Sequence, residues 1–234
     1  MNIVVAGTFA FRDIILESKK RIIKFGYEPC IYDLGGLGFG KKVQVCDFYK
    51  TNGFYHIIEN SWKSKAIHKP KIIYDCMMER RGPVLYLDAD ALLVSKIDEI
   101  FESNDFDFGF TIRRHDELSK EPVMNHRKIM GQINAGVLFF NHTDKSLNFL
   151  SEWEKQIQTH KNDQLALNLM ITEILLRDGV VNTSLGKILT VPTDIYNFYY
   201  FNELYFDMIK RKIKIFHLKN NLWLEWLKLK NFLT

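Results

Sequence analysis

One run constrains the chain more than any other: Val84-Leu85-Tyr86-Leu87-Asp88-Ala89-Asp90-Ala91-Leu92-Leu93. Four apolar residues without alternation read as a strand buried on both faces, as in a parallel sheet. The strand ends in two acids one residue apart. In open α/β sheets, ligands bind at the carboxyl ends of the strands. Alternate residues of an extended chain point the same way, so both carboxylates are expected to reach one site. Two acids in apolar surroundings repel unless a proton or cation neutralises them. A hard divalent ion such as Mg²⁺ or Mn²⁺ suits them, because it prefers oxygen ligands and is often shared with substrate phosphates. The plainer alternative is an exposed Asp pair serving as turn formers or a helix cap.

The chain before this run fits the same architecture. Asn2–Gly7 is a short β-rich apolar stretch. Ile14–Phe25 has helical spacing and stops at Gly26, and Glu28–Leu34 reads as a second strand. This β-α-β opening starts a parallel sheet. Gly35, Gly36, Gly38 and Gly40 follow the second strand rather than the first, so they make a poor dinucleotide fingerprint and are read as a loop. A helix is expected over Ser64–Glu79 and strands over Pro83–Leu87, Phe106–Ile112 and Ile133–Phe140. Arg113–Gln132 reads as a long loop. Helices are expected over Thr143–Gln158 and Gln164–Leu176, and late strands over Lys187–Val191 and Lys212–Phe216.

Composition narrows the class. Apolar residues at 47% and charged residues at 26% exclude general disorder. A net charge of +4 is a poor argument for nucleic acid. Cys30, Cys46 and Cys76 show neither a disulfide framework nor zinc-ligand spacing. The N-terminus lacks the charged and apolar regions of a signal peptide, and no run reaches the ~20 apolar residues of a membrane span. The chain is therefore expected to be cytoplasmic. Positive charge gathers late, at Lys210, Arg211, Lys212, Lys214, Lys219, Lys228 and Lys230, around Trp223 and Trp226. Peripheral contact with an anionic membrane through an amphipathic tail, 222–234, suits this pattern. A solvated helix face suits it equally.

Further motifs surround the Asp pair: Lys69-Pro70-Lys71, Ile133-Asn134-Ala135-Gly136-Val137-Leu138-Phe139-Phe140-Asn141, Asn162-Asp163-Gln164-Leu165-Ala166-Leu167-Asn168 and Ile215-Phe216-His217-Leu218-Lys219. Together and in this order, from about Trp62 to Trp223, they resemble the GT-A glycosyltransferases. The likeness is to the glycogenin-like and lipopolysaccharide galactosyltransferase-like enzymes of family 8 and related nucleotide-diphospho-sugar transferases. The resemblance implies an α/β, Rossmann-like single domain over 1–221, with a mixed, mostly parallel central sheet flanked by helices.

It further implies a metal-dependent transferase moving a hexose-type sugar from a nucleotide-diphosphate donor, UDP by resemblance, with retention. The acceptor would be a glycan, a lipid-linked glycan or a protein. Asp88, Asp90 and His217 would hold Mn²⁺ or Mg²⁺. Ala6, Gly7 and Thr8 would meet the nucleotide, Asn134, Ala135 and Gly136 the donor sugar, Lys69 or its competitor Lys71 the donor, and Lys219 the diphosphate. Asp163 would bond sugar hydroxyls, and Gln164 would stand near the anomeric carbon. Taken without the resemblance, His217 reads as a core histidine at a strand end, and Asp163 has a helix N-cap as its alternative. The late motif lacks the family's Gly and Pro, and Leu165 stands where a second Asp is common.

Two other classes remain open on sequence. One is a GT-A fold kept as a sugar-nucleotide-binding module without turnover. The other is a haloacid-dehalogenase-type phosphatase, which also sets Asp-x-Asp after an apolar strand. That motif usually stands near the N-terminus, whereas 87 residues precede Asp88 here.

Overall fold

The computed structural model describes residues 1–43, 67–114, 119, 123–124, 127–128, 131–171, 179–199, 210 and 212–218. Its strands are β1 (Asn2–Thr8), β2 (Glu28–Gly35), β3 (Lys41–Lys42), β4 (Val84–Asp88), β5 (Ala91–Leu93), β6 (Phe108–Ile112), β7 (Val123–Met124), β8 (Arg127–Lys128), β9 (Ile133–Phe140), β10 (Gly179–Thr183), β11 (Gly186–Val191) and β12 (Ile215–His217). Its helices are α1 (Arg12–Lys24), α2 (Lys69–Arg80), α3 (Asp98–Ser103), α4 (Asp144–His160), α5 (Asp163–Ile171) and α6 (Thr193–Tyr196).

Eight strands form one sheet in the order β10-β11-β6-β9-β4-β1-β2-β3. Neighbours pair parallel except where β9 meets β4 and β6, and where β10 meets β11. This is the mixed, mostly parallel sheet expected. Both faces are covered. Val4, Ala6, Val84, Tyr86, Leu138 and Phe140 share one apolar cluster with Trp153 of α4 and Ile73 of α2. Ile3, Val5, Leu85, Leu87, Val137 and Phe139 share the other with Ile15 and Ile22 of α1. Strict alternation between two buried faces explains why these strands read as unbroken apolar runs.

Two features carry the site. First, β5 leaves the sheet and pairs antiparallel with β12, setting His217 opposite Ala91. The Leu218 N–H donates to Asp90 O at 2.8 Å, locking that register. Second, β9 changes register against β6: Phe110 pairs with Leu138 but Thr111 pairs with Asn134. Residues Ala135, Gly136 and Val137 stand in the gap, an irregularity of the kind that re-aims a chain beside functional sites.

The long loop expected over Arg113–Gln132 contains the short β7–β8 pair. The glycine-rich stretch is closed by its own neighbour, since Asp33 Oδ1 accepts from Gly35 N at 2.7 Å and Leu37 N at 3.1 Å. The expected amphipathic tail over 222–234, with Trp223 and Trp226, lies outside the described residues, and so does Lys219 of the late motif. Among the described residues no helix is long and apolar enough to cross a membrane.

Candidate active site

Asp88 is the last residue of β4, and Ala89-Asp90 form a turn before β5. The two carboxylates therefore meet through a turn, not through the extended alternation expected from sequence. Ligand atoms of Asp88, Asp90 and His217 all lie within 4.8 Å of one another, so one cation could touch all three.

His217 is 4% exposed. Its Nδ1 stands 2.8 Å from Asn197 Oδ1, and Asn197 Nδ2 donates to Thr111 Oγ1 at 2.7 Å. The amide oxygen can only accept, so Nδ1 carries a proton and Nε2 is the ring atom turned to the site. That Nε2 lies 3.2 Å from Asp90 Oδ1. Two lone-pair atoms facing each other need a proton or a cation between them. A carboxylate–imidazole–carboxylate set whose imidazole is oriented by an outer partner fits a divalent ion.

Gly136 lies against this group. A Cβ there would stand 2.3 Å from His217 Cε1 and 2.9 Å from Asp88 Oδ2, so only glycine lets β9 pass so close. Its N–H donates to Asn134 Oδ1 at 2.8 Å, and Asn134 is buried.

The other side of the site is ionic. Lys69 opens α2 and is 5% exposed. Its Nζ lies 2.6 Å from Asp163 Oδ2 and 2.9 Å from Asp88 Oδ1, and donates to Ala135 O at 3.1 Å. Burial alone would lower its pKa, but the two carboxylates override it and hold the ammonium charged. Sequence led to a donor contact for Lys69, and any such contact must be made beside these two ion pairs. Tyr86, kept protonated by burial, donates its hydroxyl to Asp88 Oδ1 at 3.1 Å. Burial raises the Asp88 pKa despite Lys69. Burial also pushes on Asp90, but His217 outweighs it and lowers the pKa.

Asp163 and Gln164 begin α5. The helix-cap alternative for Asp163 gives way to its neighbour, since Asn162 Oδ1 accepts from Leu165 N at 2.8 Å. This frees the Asp163 carboxylate for Lys69, while Trp153 Nε1 donates to Asp163 O at 2.9 Å. Gln164 Oε1 accepts from Ala135 N at 3.4 Å. Asn168 completes the seam, accepting from Ile133 N at 2.7 Å and donating to Ile133 O at 3.1 Å. So α5 side chains replace a strand partner along the start of β9.

Ala6, Gly7 and Thr8 end β1. Ala6 pairs in register with Asp88, and a Cβ on Gly7 would meet Ile15 Cδ1 at 2.6 Å and Ala89 Cβ at 3.0 Å. They thus adjoin the acids on the neighbouring strand. Of the donor- and metal-site residues expected from sequence, Lys219 alone lies outside the described residues. Asn197, Thr111 and Asn168 were missed, and no local pattern marks the first two.

A mixed α/β sheet carrying paired acids and a facing histidine at its carboxyl edge defines the class as a GT-A glycosyltransferase fold. The family profile described as nucleotide-diphospho-sugar transferase matches residues 46–222, and the chain belongs to that family. It is a glycosyltransferase. This sets aside the phosphatase alternative. No curated protein matches the chain. Solved structures share the fold. A glycosyltransferase involved in glycosylation of the major capsid of PBCV-1 superposes with a TM-score of 0.56 at 10% identity, over 94% of both chains. The galactosyltransferase LgtC, in complex with donor and acceptor sugar analogues, gives 0.52 at 16%, over 94% of this chain and 87% of its own. The glycosyltransferase GlyE of Streptococcus pneumoniae gives 0.55 at 17%, over 94% of this chain and 54% of GlyE.

Proposed function

We propose that the protein transfers a hexose-type sugar from a UDP donor to a glycan, lipid-linked glycan or protein acceptor, with retention. It would use Mn²⁺ or Mg²⁺ held by Asp88, Asp90 and His217. The observation that carries this reading is the convergence of those three ligand atoms within 4.8 Å. When bound, the cation supplies Lewis-acid stabilisation to the departing diphosphate.

The chain's own residues do the rest. Asn197 keeps the His217 Nε2 lone pair free for coordination. Ala6, Gly7 and Thr8 cradle the nucleotide, and Lys219 would supply positive charge to the diphosphate. Lys69 holds Asp88 and Asp163 at fixed separation, so the carboxylate that meets sugar hydroxyls keeps its position relative to the cation. Asn134, Ala135 and Gly136 line the sugar pocket. Gln164, tied to the Ala135 amide, is the polar group offered to the anomeric carbon.

The test is nucleotide release from a panel of UDP- and GDP-sugars, with Mn²⁺, with EDTA, and in Asp90→Ala. Release from one donor, dependent on the cation and lost in the variant, is expected. Unchanged release in EDTA and in Asp90→Ala would remove the metal from the reaction and sink the proposal.

A further inference from the structure

Cys30 and Cys76 are 46 positions apart and show no pairing signal by spacing. The fold brings them together. Cys30 lies on β2 and Cys76 on α2, and both face a cavity of about 270 Å³ lined also by Tyr32, Lys41, Glu79 and Arg80. The two sulfurs are close enough to shift each other's ionisation, and Tyr32 lines the same cavity beside Cys76. Cys76 is 1% exposed, whereas Cys30 is only half-buried and opens on the cavity.

The two sulfurs differ in access. Cys30 can meet a small solute in the cavity, and Cys76 and the Arg80 charge lower its pKa against the effect of burial. Cys76 is buried, and its pKa is raised. A reachable cysteine beside a buried thiol is the arrangement of an attacking cysteine and its resolving partner. Nothing in the sugar-transfer reading uses either residue.

We propose that Cys30 and Cys76 form a reversible dithiol–disulfide site, oxidised by a small hydroperoxide and restored by a thiol reductant. The Cys30 thiolate attacks the distal peroxide oxygen. The O–O bond breaks, water or an alcohol leaves after taking a proton, and Cys30 becomes a sulfenic acid. The Cys76 sulfur then attacks the Cys30 sulfur, the S–O bond breaks, and the departing hydroxide takes the Cys76 proton to leave as water. Two thiols have given two electrons to one peroxide. The disulfide would join β2 to α2, the helix that opens with Lys69. The proposal stands or falls independently of the donor site.

The experiment uses the unaltered, fully reduced protein. It is treated with hydrogen peroxide, its free thiols are alkylated, and its peptides are mapped without reduction. The expected product is a Cys30–Cys76 linked peptide that has lost two hydrogens and that dithiothreitol separates, with Cys46 recovered alkylated. In Cys76→Ser, Cys30 should stop at a sulfenic acid that dimedone traps, with no linked peptide. Cys30 and Cys76 both recovered as alkylated thiols after peroxide treatment would overturn the proposal. So would linkage to Cys46 in place of the pair. The unaltered protein decides the matter even if the serine variant fails to fold.

Discussion

Asp88 and Asp90 stand two residues apart and are held by different means. Asp88 leans on charge: Lys69 ties it to Asp163 and to the Ala135 carbonyl, drawing on α2, α5 and β9. Asp90 leans on a hydrogen-bonded relay: His217 to Asn197 to Thr111, drawing on β12, the chain after α6, and β6. The two sides fail differently. A buried ionic network collapses when its one cation goes, because both acids are left unpaired in low dielectric. A relay sets the aim of a ligand, so its loss costs affinity more than fold.

The largest expected effect therefore falls on the ionic side. Lys69→Met would leave Asp88 and Asp163 without their cation, and a stability loss of about 3–5 kcal/mol is expected. Urea unfolding checks it through the midpoint. A loss below about 1 kcal/mol, the range of an exposed pair, would break the contrast.

Gly136 touches both sides at once. Gly136→Ala would push on His217 Cε1 and Asp88 Oδ2 together. Displacing groups by even an ångström costs about 10²-fold in rate, and that drop in nucleotide release is expected. Wild-type rates in this variant would mean that the site relaxes around the methyl group.

The relay comes next. Asn197→Leu removes the acceptor for His217 Nδ1, and cation affinity should fall about 10- to 100-fold. Titrating Mn²⁺ against nucleotide release measures it. Asn197→Asp keeps an acceptor and should lose much less, which separates aiming from mere packing.

Asn197 also marks where the sequence stops being readable. The strand before Asp88 was legible because each residue is buried on one of two faces, which leaves an apolar run. The motifs at Asn134, Asp163 and His217 were legible as short local words. The role of Asn197 depends on β12 pairing with β5 far upstream, and no local period encodes that. Lys69 reads from sequence as a residue within an expected helix and a donor contact, and its ion pair with Asp163 was hidden because that partner lies 94 positions away. Short elements were missed for related reasons. The six residues of α3 are too few to show a helical period, and β10 is a largely exposed edge strand without an apolar face. Cys30 and Cys76 looked scattered because only the packing of α2 beside β2 joins them.

The smallest effect is the sharpest test of the contrast, because its two arms have opposite signs. Without a cation, burial raises the Asp88 pKa and the Asp90 charge adds to it, with Lys69 opposing. The Asp88 contribution to stability is thus complete below the unfolded value, near pH 4, and is lost as pH rises through the raised value. Asp90 has a lowered pKa because His217 outweighs burial. Its contribution is present above about pH 4 and is lost as pH falls through the lowered value. In EDTA near neutral pH, Asp88→Asn should therefore raise the melting temperature and Asp90→Asn should lower it. Each kcal/mol would move it by about 2–4 °C in a chain of this size. Below about pH 4 the benefit of Asp88→Asn should vanish, since the native carboxyl is then protonated too. Equal signs for the two variants near neutrality would mean that the acids share one environment, and the division into a charged side and a relayed side would be wrong.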